Sequence, residues 1–281
     1  RRNPRRCQRQ SLWWGCVMAI SLAQLTRANT PKPPRILIHG VAGVGKTTFA
    51  AEASKPVFVQ TEDGLGTIPA ASFPLARTFE EVLESLASLY TEDHDFKTVV
   101  IDSVDWLEPL VWGKACRDNG WGSIEDAGYG KGYVAALSLW RQYIDGLNAL
   151  RDDRGMTVVQ IAHTDIKRFD SPEHDPYDRY VIKLHTRAAA LMQEHSDIVL
   201  FANYRISTVK ADVGFNKKVN RAMGSGERVI HTAERPAFLA KNRYGLPETL
   251  PLDWQSFAQA MPDVIKPMLI ANPVTPTNPT T

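Results

Sequence analysis

Cysteine is scarce in this chain. Three occur in 281 residues, Cys7, Cys16 and Cys116, and none of the spacings between them suits a metal. A disulfide framework is therefore excluded, and a reducing, cytoplasmic setting is expected. Long apolar runs are missing too: none reaches 18 residues, so no membrane partner or spanning helix is expected. No internal repeat is evident. There is also no general excess of positive charge. The formal net charge is +2, but residues 1–17 hold five Arg and no acid, and the rest of the chain carries 28 Lys and Arg against 31 Asp and Glu. Affinity for nucleic acid must then come from a local patch. Otherwise the composition is that of a soluble globular chain of one to two domains.

What is present is a phosphate-binding signature. Gly40-Val41-Ala42-Gly43-Val44-Gly45-Lys46-Thr47 matches G-x-x-x-x-G-K-[ST] in full. Residues 35–39 before it read as a strand, and residues 48–53 after it read as a helix, which is the context the motif requires. Gly40, Gly43 and Gly45 let backbone N–H groups turn inward onto phosphate oxygens. The start of the helix adds its positive end. Lys46 is placed for the β- and γ-phosphates, the Thr47 hydroxyl for Mg²⁺, and Thr48 completes the binding set. A nucleoside triphosphate, ATP, is the expected cofactor, with Mg²⁺.

The rest of the chain alternates between strand and helix patterns. Apolar runs at 56–62, 97–103, 156–163 and 197–204 read as further strands. Helical spacing covers 78–90, 104–118, 133–153 and 183–195. Between two of these helices lies a glycine-rich loop, 119–132, expected to be mobile. Residues 164–180 read as a polar loop. Residues 205–243 hold nine Lys or Arg against three acids, with short β-like runs. The pattern predicts an α/β fold with a mostly parallel, doubly wound sheet and antiparallel strands added at the C-terminal edge. Three segments are expected: a leader at 1–17, an ATPase domain at 18–255, and a C-terminal helix or turn with a disordered Pro/Thr-rich tail at 256–281. The leader places five arginines before an apolar stretch at 12–20, as a secretory signal does. An ATP-using domain is ill suited to export, so Met18 is expected to be the natural start and the leader non-native or disordered.

In an open α/β sheet the ligand lies beyond the carboxyl ends of the strands. Glu62, Asp102 and His163 close three of the predicted strands, so all should converge on the nucleotide with the loop. Asp102 follows an apolar run about 55 residues after Thr47, the place of a Walker B acid that holds Mg²⁺.

Glu62, Asp102-Ser103-Val104 and the polar end of the fourth strand resemble the RecA/RadA recombinase core. Tyr129-Gly130-Lys131-Gly132-Tyr133, Lys167-Arg168-Phe169-Asp170, Pro176-Tyr177-Asp178-Arg179-Tyr180 and Leu239-Ala240-Lys241-Asn242-Arg243-Tyr244-Gly245 resemble, more narrowly, phage-encoded ATP-binding proteins of the single-strand-annealing or recombination class. The resemblance spans about residues 18–252. It implies a RecA-like P-loop core that hydrolyses ATP in response to DNA, in the cytoplasm of a phage-infected or prophage-carrying bacterium. The implied partners are single-stranded DNA, further copies of the chain in a ring or filament, and a single-strand-binding protein. By the same resemblance Glu62 polarises the attacking water, with Asp63 as the fallback. His163 stands where the core has a glutamine that senses the γ-phosphate. Lys241 and Arg243 match a cationic pair that reaches a neighbouring subunit's phosphates. The implied DNA-binding residues are Lys131 in one loop and Lys167, Arg168, Tyr177, Arg179 and Tyr180 in another. The second loop also holds Asp165, Asp170, Glu173, Asp175 and Asp178, so the basic segment with Lys217 and Lys218 is electrostatically the better candidate. The alternatives are a replicative helicase or helicase-loader ATPase of the same core, a small-molecule P-loop kinase, and a nucleotide-gated binding module with negligible turnover.

Overall fold

The computed structural model describes residues 31–172, 175–212 and 218–270. The leader, Lys217 and the tail from residue 271 lie outside the described residues. In chain order the elements begin β1 (Arg35–Gly40), α1 (Lys46–Ala51), β2 (Pro56–Gln60), β3 (Ala71–Ser72), α2 (Phe79–Thr91) and β4 (Thr98–Asp102). They continue α3 (Val104–Asn119), α4 (Lys131–Asp153), β5 (Thr157–Phe169), β6 (Tyr177–Ile182) and α5 (Thr186–His195). Last come β7 (Ile198–Asp212), β8 (Lys218–His231), β9 (Lys241–Asn242), β10 (Thr249–Pro251), α6 (Trp254–Ala260) and α7 (Lys266–Leu269).

The main sheet runs β10-β8-β7-β1-β5-β4-β2-β3. Strands β7, β1, β5, β4, β2 and β3 are parallel, and β8 and β10 continue the sheet antiparallel at one edge. The fold is therefore α/β with a mostly parallel sheet and antiparallel strands at the C-terminal edge, as expected. Its central strands are apolar because both faces are covered. On one face Leu37, Val59, Ile101 and Val158 pack under α2, α3, α4 and α5. On the other, Ile36, Ile38, Val100 and Leu200 pack under α1, α6 and α7.

Local sequence explains the element ends. Thr78 and Glu81 form a capping box that starts α2, satisfying two N–H groups the helix cannot pair itself. Gly120, with φ 67°, ends α3 in the left-handed conformation that glycine adopts without strain. The glycine-rich segment before α4 is folded into turns: Asp126 accepts from the N–H groups of Gly122 and Ser123 at 2.7 and 2.9 Å. Gly132, in the first turn of α4, lies so close to Ile124 of that segment that a Cβ would stand 1.9 Å from its carbonyl oxygen.

Two segments differ from expectation. The polar stretch 164–180 is mostly strand: β5 runs past the sheet to Phe169 and pairs antiparallel with β6. Its residues 165–170 are solvent-exposed, so the stretch lacks the one-sided apolar alternation that marks a strand in sequence. The folded body also extends beyond residue 255. Trp254 and Phe257 of α6 are buried against Phe49 of α1, at ring-centroid distances of 5.2 and 5.6 Å. Met261, Ile265 and Leu269 are buried in the same cluster. Replacing Phe257 with Ala should thus cost about 3–5 kcal/mol of unfolding free energy, as for other buried aromatics. Urea denaturation measures it; a loss below about 1 kcal/mol would show α6 to be a loose appendage.

Candidate nucleotide site

Parallel register brings the phosphate loop and three strand ends to one level. Gly40 is paired with His163, and Asp102 with both Ile161 and Gln60. Gly40 sits where a Cβ would be 2.1 Å from the Ala202 carbonyl oxygen, so only glycine lets the loop leave β1 this close to β7. Gly45, with φ 108°, precedes α1 in the left-handed region.

The lysine and the hydroxyl of the loop point to different partners. Lys46 is 6 % exposed, and its Nζ donates to the Gly40 and Val41 carbonyls at 3.1 Å each. Burial lowers its pKa, opposed by the charges of Asp102, Asp105 and Glu62. Thr47 Oγ1 donates to Asp102 Oδ2 at 2.9 Å, joining the loop to the end of β4. Burial pushes the Asp102 carboxyl up to about 6, against the Thr47 hydrogen bond.

Strand β2 ends at Gln60, so Glu62 lies in the bend just past it. The bend is tied to β4. The N–H of Thr61 donates to the Asp102 carbonyl at 2.8 Å, and Thr61 Oγ1 donates to the Ser103 carbonyl at 2.6 Å. Glu62 Oε1 is then 3.9 Å from His163 Nδ1. His163 is held more closely by Asp105, in the first turn of α3. The two Asp105 oxygens take the backbone N–H and ring Nδ1 of His163 at 2.9 Å each. That hydrogen bond, opposed by burial, raises the His163 pKa. Burial alone would raise Asp105, but the His163 hydrogen bonds and charge outweigh it and hold the carboxyl below its usual range.

Residues 32–244 match the AAA domain family AAA_24. The chain belongs to that family. No curated protein matches the chain. Among solved structures, it is similar to the crystal structure of the RadB recombinase, with 18 % identity and a TM-score of 0.40, covering 74 % of this chain and 86 % of that one.

The AAA domain brings Lys46, Thr47, Asp102, Glu62 and His163 together, although only Asp102 closes its strand: Glu62 lies just past β2, and His163 stands inside β5, which continues to Phe169. Asp105 escaped the sequence reading. An acid in a helix's first turn is an ordinary complement to the helix dipole, so nothing in the sequence marked it out. Lys241 and Arg243 belong elsewhere. They lie beside the start of β7, where Val199 pairs with Lys241, whereas the loop follows the far end of β1. Lys241 Nζ donates to the Gln193, Glu194 and Ser196 carbonyls at 2.7–3.2 Å, capping the end of α5. Arg243 Nη1 donates to Asp197 Oδ1 at 3.0 Å, and the same carboxylate is bound by Arg35 at 2.9 Å. Within the chain, then, Lys241 covers the carbonyls at the end of α5, and the exposed Arg243 is one of three cations on Asp197, with Arg35 and Arg151.

The DNA candidates divide similarly. Tyr180 stacks on Phe201 at 5.1 Å, Tyr177 packs on Phe169 at 5.5 Å, and Arg179 pairs with Glu234 while lying over the Phe169 ring. Those three are occupied within the fold. Lys131, Lys167 and Arg168 are exposed, with Arg168 Nε 3.5 Å from Asp170. Lys218 begins β8 opposite Asp212. Among the described residues, no helix is long and apolar enough to cross a membrane.

The Asp105–His163 contact has a pH signature. Because the folded His163 pKa is raised, its share of stability is complete below the ordinary value of about 6.5 and is lost as pH rises through the folded value. Asp105→Asn should return the imidazole toward about 6.5 in an NMR titration. The stability gap between wild type and variant should narrow as pH rises through that region. An unchanged imidazole titration would show that Asp105 does not set it.

Proposed function

We propose that this AAA domain binds Mg²⁺–ATP, hydrolyses it, and is stimulated by single-stranded DNA during recombination or strand annealing of phage type, working as a homo-oligomer. The observation that carries the reading is the convergence of Lys46, Thr47, Asp102, Glu62 and His163 where β1, β4 and β2 end beside the middle of β5.

The residues present fit the proposed ligands. A hydroxyl and a buried carboxylate 2.9 Å apart are hard oxygen donors of the kind Mg²⁺ prefers. When bound, the ion neutralises charge on the phosphate oxygens. Lys46 exchanges two loop carbonyls for phosphate oxygens. Glu62 accepts a proton from the attacking water. His163, whose charged form Asp105 favours, donates a hydrogen bond to a phosphate oxygen as that charge grows. Exposed Lys167 and Arg168 on the projecting hairpin supply cations for a nucleic-acid backbone.

ATP hydrolysis measured with and without single-stranded DNA tests the reading, and stimulation is expected. Glu62→Gln should retain ATP binding while losing roughly 10²- to 10⁴-fold in turnover, the span for a lost general base. Full activity in that variant would remove Glu62 from the mechanism and leave Asp63 as the candidate.

Single-strand affinity should fall as salt rises. Lys167→Ala and Arg168→Ala should each reduce the log–log salt slope by about 0.7, the value per phosphate contact on a single strand. Salt-independent affinity, or no binding, would contradict the DNA reading.

A further inference from the structure

Strands β7 and β8 pass beside the phosphate loop before leaving the sheet as a hairpin. The cross-strand pair Tyr204 and Arg228 stands at that point. Tyr204 donates its hydroxyl to the Gly43 carbonyl, and Arg228 donates Nη1 to the Val44 carbonyl, each at 3.5 Å. The guanidinium lies directly over Gly45, where a Cβ would be 2.7 Å from Nη1. The register of β7 against β8 shifts just beyond, between Tyr204 and Ile206. Such bulges redirect the side chains around them.

Arg228 is chemically unfinished in this position. A guanidinium carries five N–H donors, and one long hydrogen bond to a carbonyl uses only one of them. Nearby Arg205 has Glu227 at 3.2 Å. Arg228 makes no ion pair among the described residues, and its side chain is exposed beside a loop built to hold an anion. Lys46 covers the start of the loop, at Gly40 and Val41, and Arg228 covers its end, at Val44 and Gly45.

We propose that Arg228 is a second phosphate-binding cation of the site, supplied by the same chain from β8, with Tyr204 seating the loop beside it. The inference rests on the nucleotide-binding reading and deepens it. A planar guanidinium can bind two phosphate oxygens at once, whereas the Lys46 ammonium acts as a point charge. The long contact to Val44 is then a resting position, exchanged for phosphate oxygens when a nucleotide arrives.

The test is a fluorescence titration with a labelled ATP analogue and Mg²⁺ at two salt concentrations. It compares wild type with Arg228→Lys, Arg228→Gln, Arg228→Ala and Lys46→Ala. Loss of a charged hydrogen bond predicts roughly tenfold to hundredfold weaker binding for the Gln and Ala variants, with a shallower salt dependence. The Lys variant should keep most of the affinity. Glutamine can still donate to the Val44 carbonyl, so wild-type affinity in Arg228→Gln would mean that the arginine only props the loop, and would overturn the proposal. Thermal melting controls for folding. A second measurement needs no variant: ATP should protect Arg228 from phenylglyoxal in mass-spectrometric mapping, and unchanged labelling would overturn the proposal. If wild type itself fails to bind, as Lys46→Ala should, the nucleotide reading fails first, a result distinct from tight binding that ignores Arg228.

Discussion

The hydrogen bond from Thr47 to Asp102, 2.9 Å long, joins the loop after β1 to the end of β4 across the intervening strand β5. It exists because three parallel strands keep register over their whole shared length. Ile36, Val159 and Val100 form one row across them, and all three are fully buried. A slip of one residue would turn Asp102 to the opposite face and bring an apolar side chain to the loop. Core packing of 98–101 is thus what aims the carboxylate. The bend after β2 obeys the same constraint, because Thr61 binds the backbone of both Asp102 and Ser103.

Charges are crowded into this corner at some electrostatic cost. Burial lifts the Asp102 carboxyl to about 6 and lowers the Lys46 ammonium, so neither ion is well solvated alone. Each is stabilised by what surrounds it: Lys46 by two carbonyls and nearby acids, Asp102 by a hydroxyl, and Asp105 and His163 by one another. A polyanion with a divalent cation would satisfy the two least satisfied groups together. The neighbouring Asp105–His163 pair is already complete, which suits it to orient a ring rather than bind a metal.

Much of this corner was legible in the sequence. The glycine loop has a strict spacing, and the 98–102 run ends in an acid. What was missed shares a physical cause: those residues act through partners remote in the chain. Asp105 reads as a routine helix-start acid until β5 brings His163 to it. Arg228 is one cation among nine in a basic segment until the pairing of β7 with β8 sets it over Gly45. The β5–β6 hairpin escaped because its projecting half has no buried face to impose alternation. Trp254, Phe257, Met261 and Ile265 did carry helical three- and four-residue spacing, a usable sign that the body continues past 255.

The central claim is that Thr47 and Asp102 form the metal side of a nucleotide site. Calorimetric titration of ATP into wild type and Asp102→Asn, each with and without Mg²⁺, tests it most directly. The account predicts that Mg²⁺ tightens ATP binding in wild type and that this gain largely disappears in Asp102→Asn, while metal-free binding through the loop persists in both. ATP affinity that is indifferent to Mg²⁺ in wild type, or a Mg²⁺ effect untouched by the substitution, would contradict it.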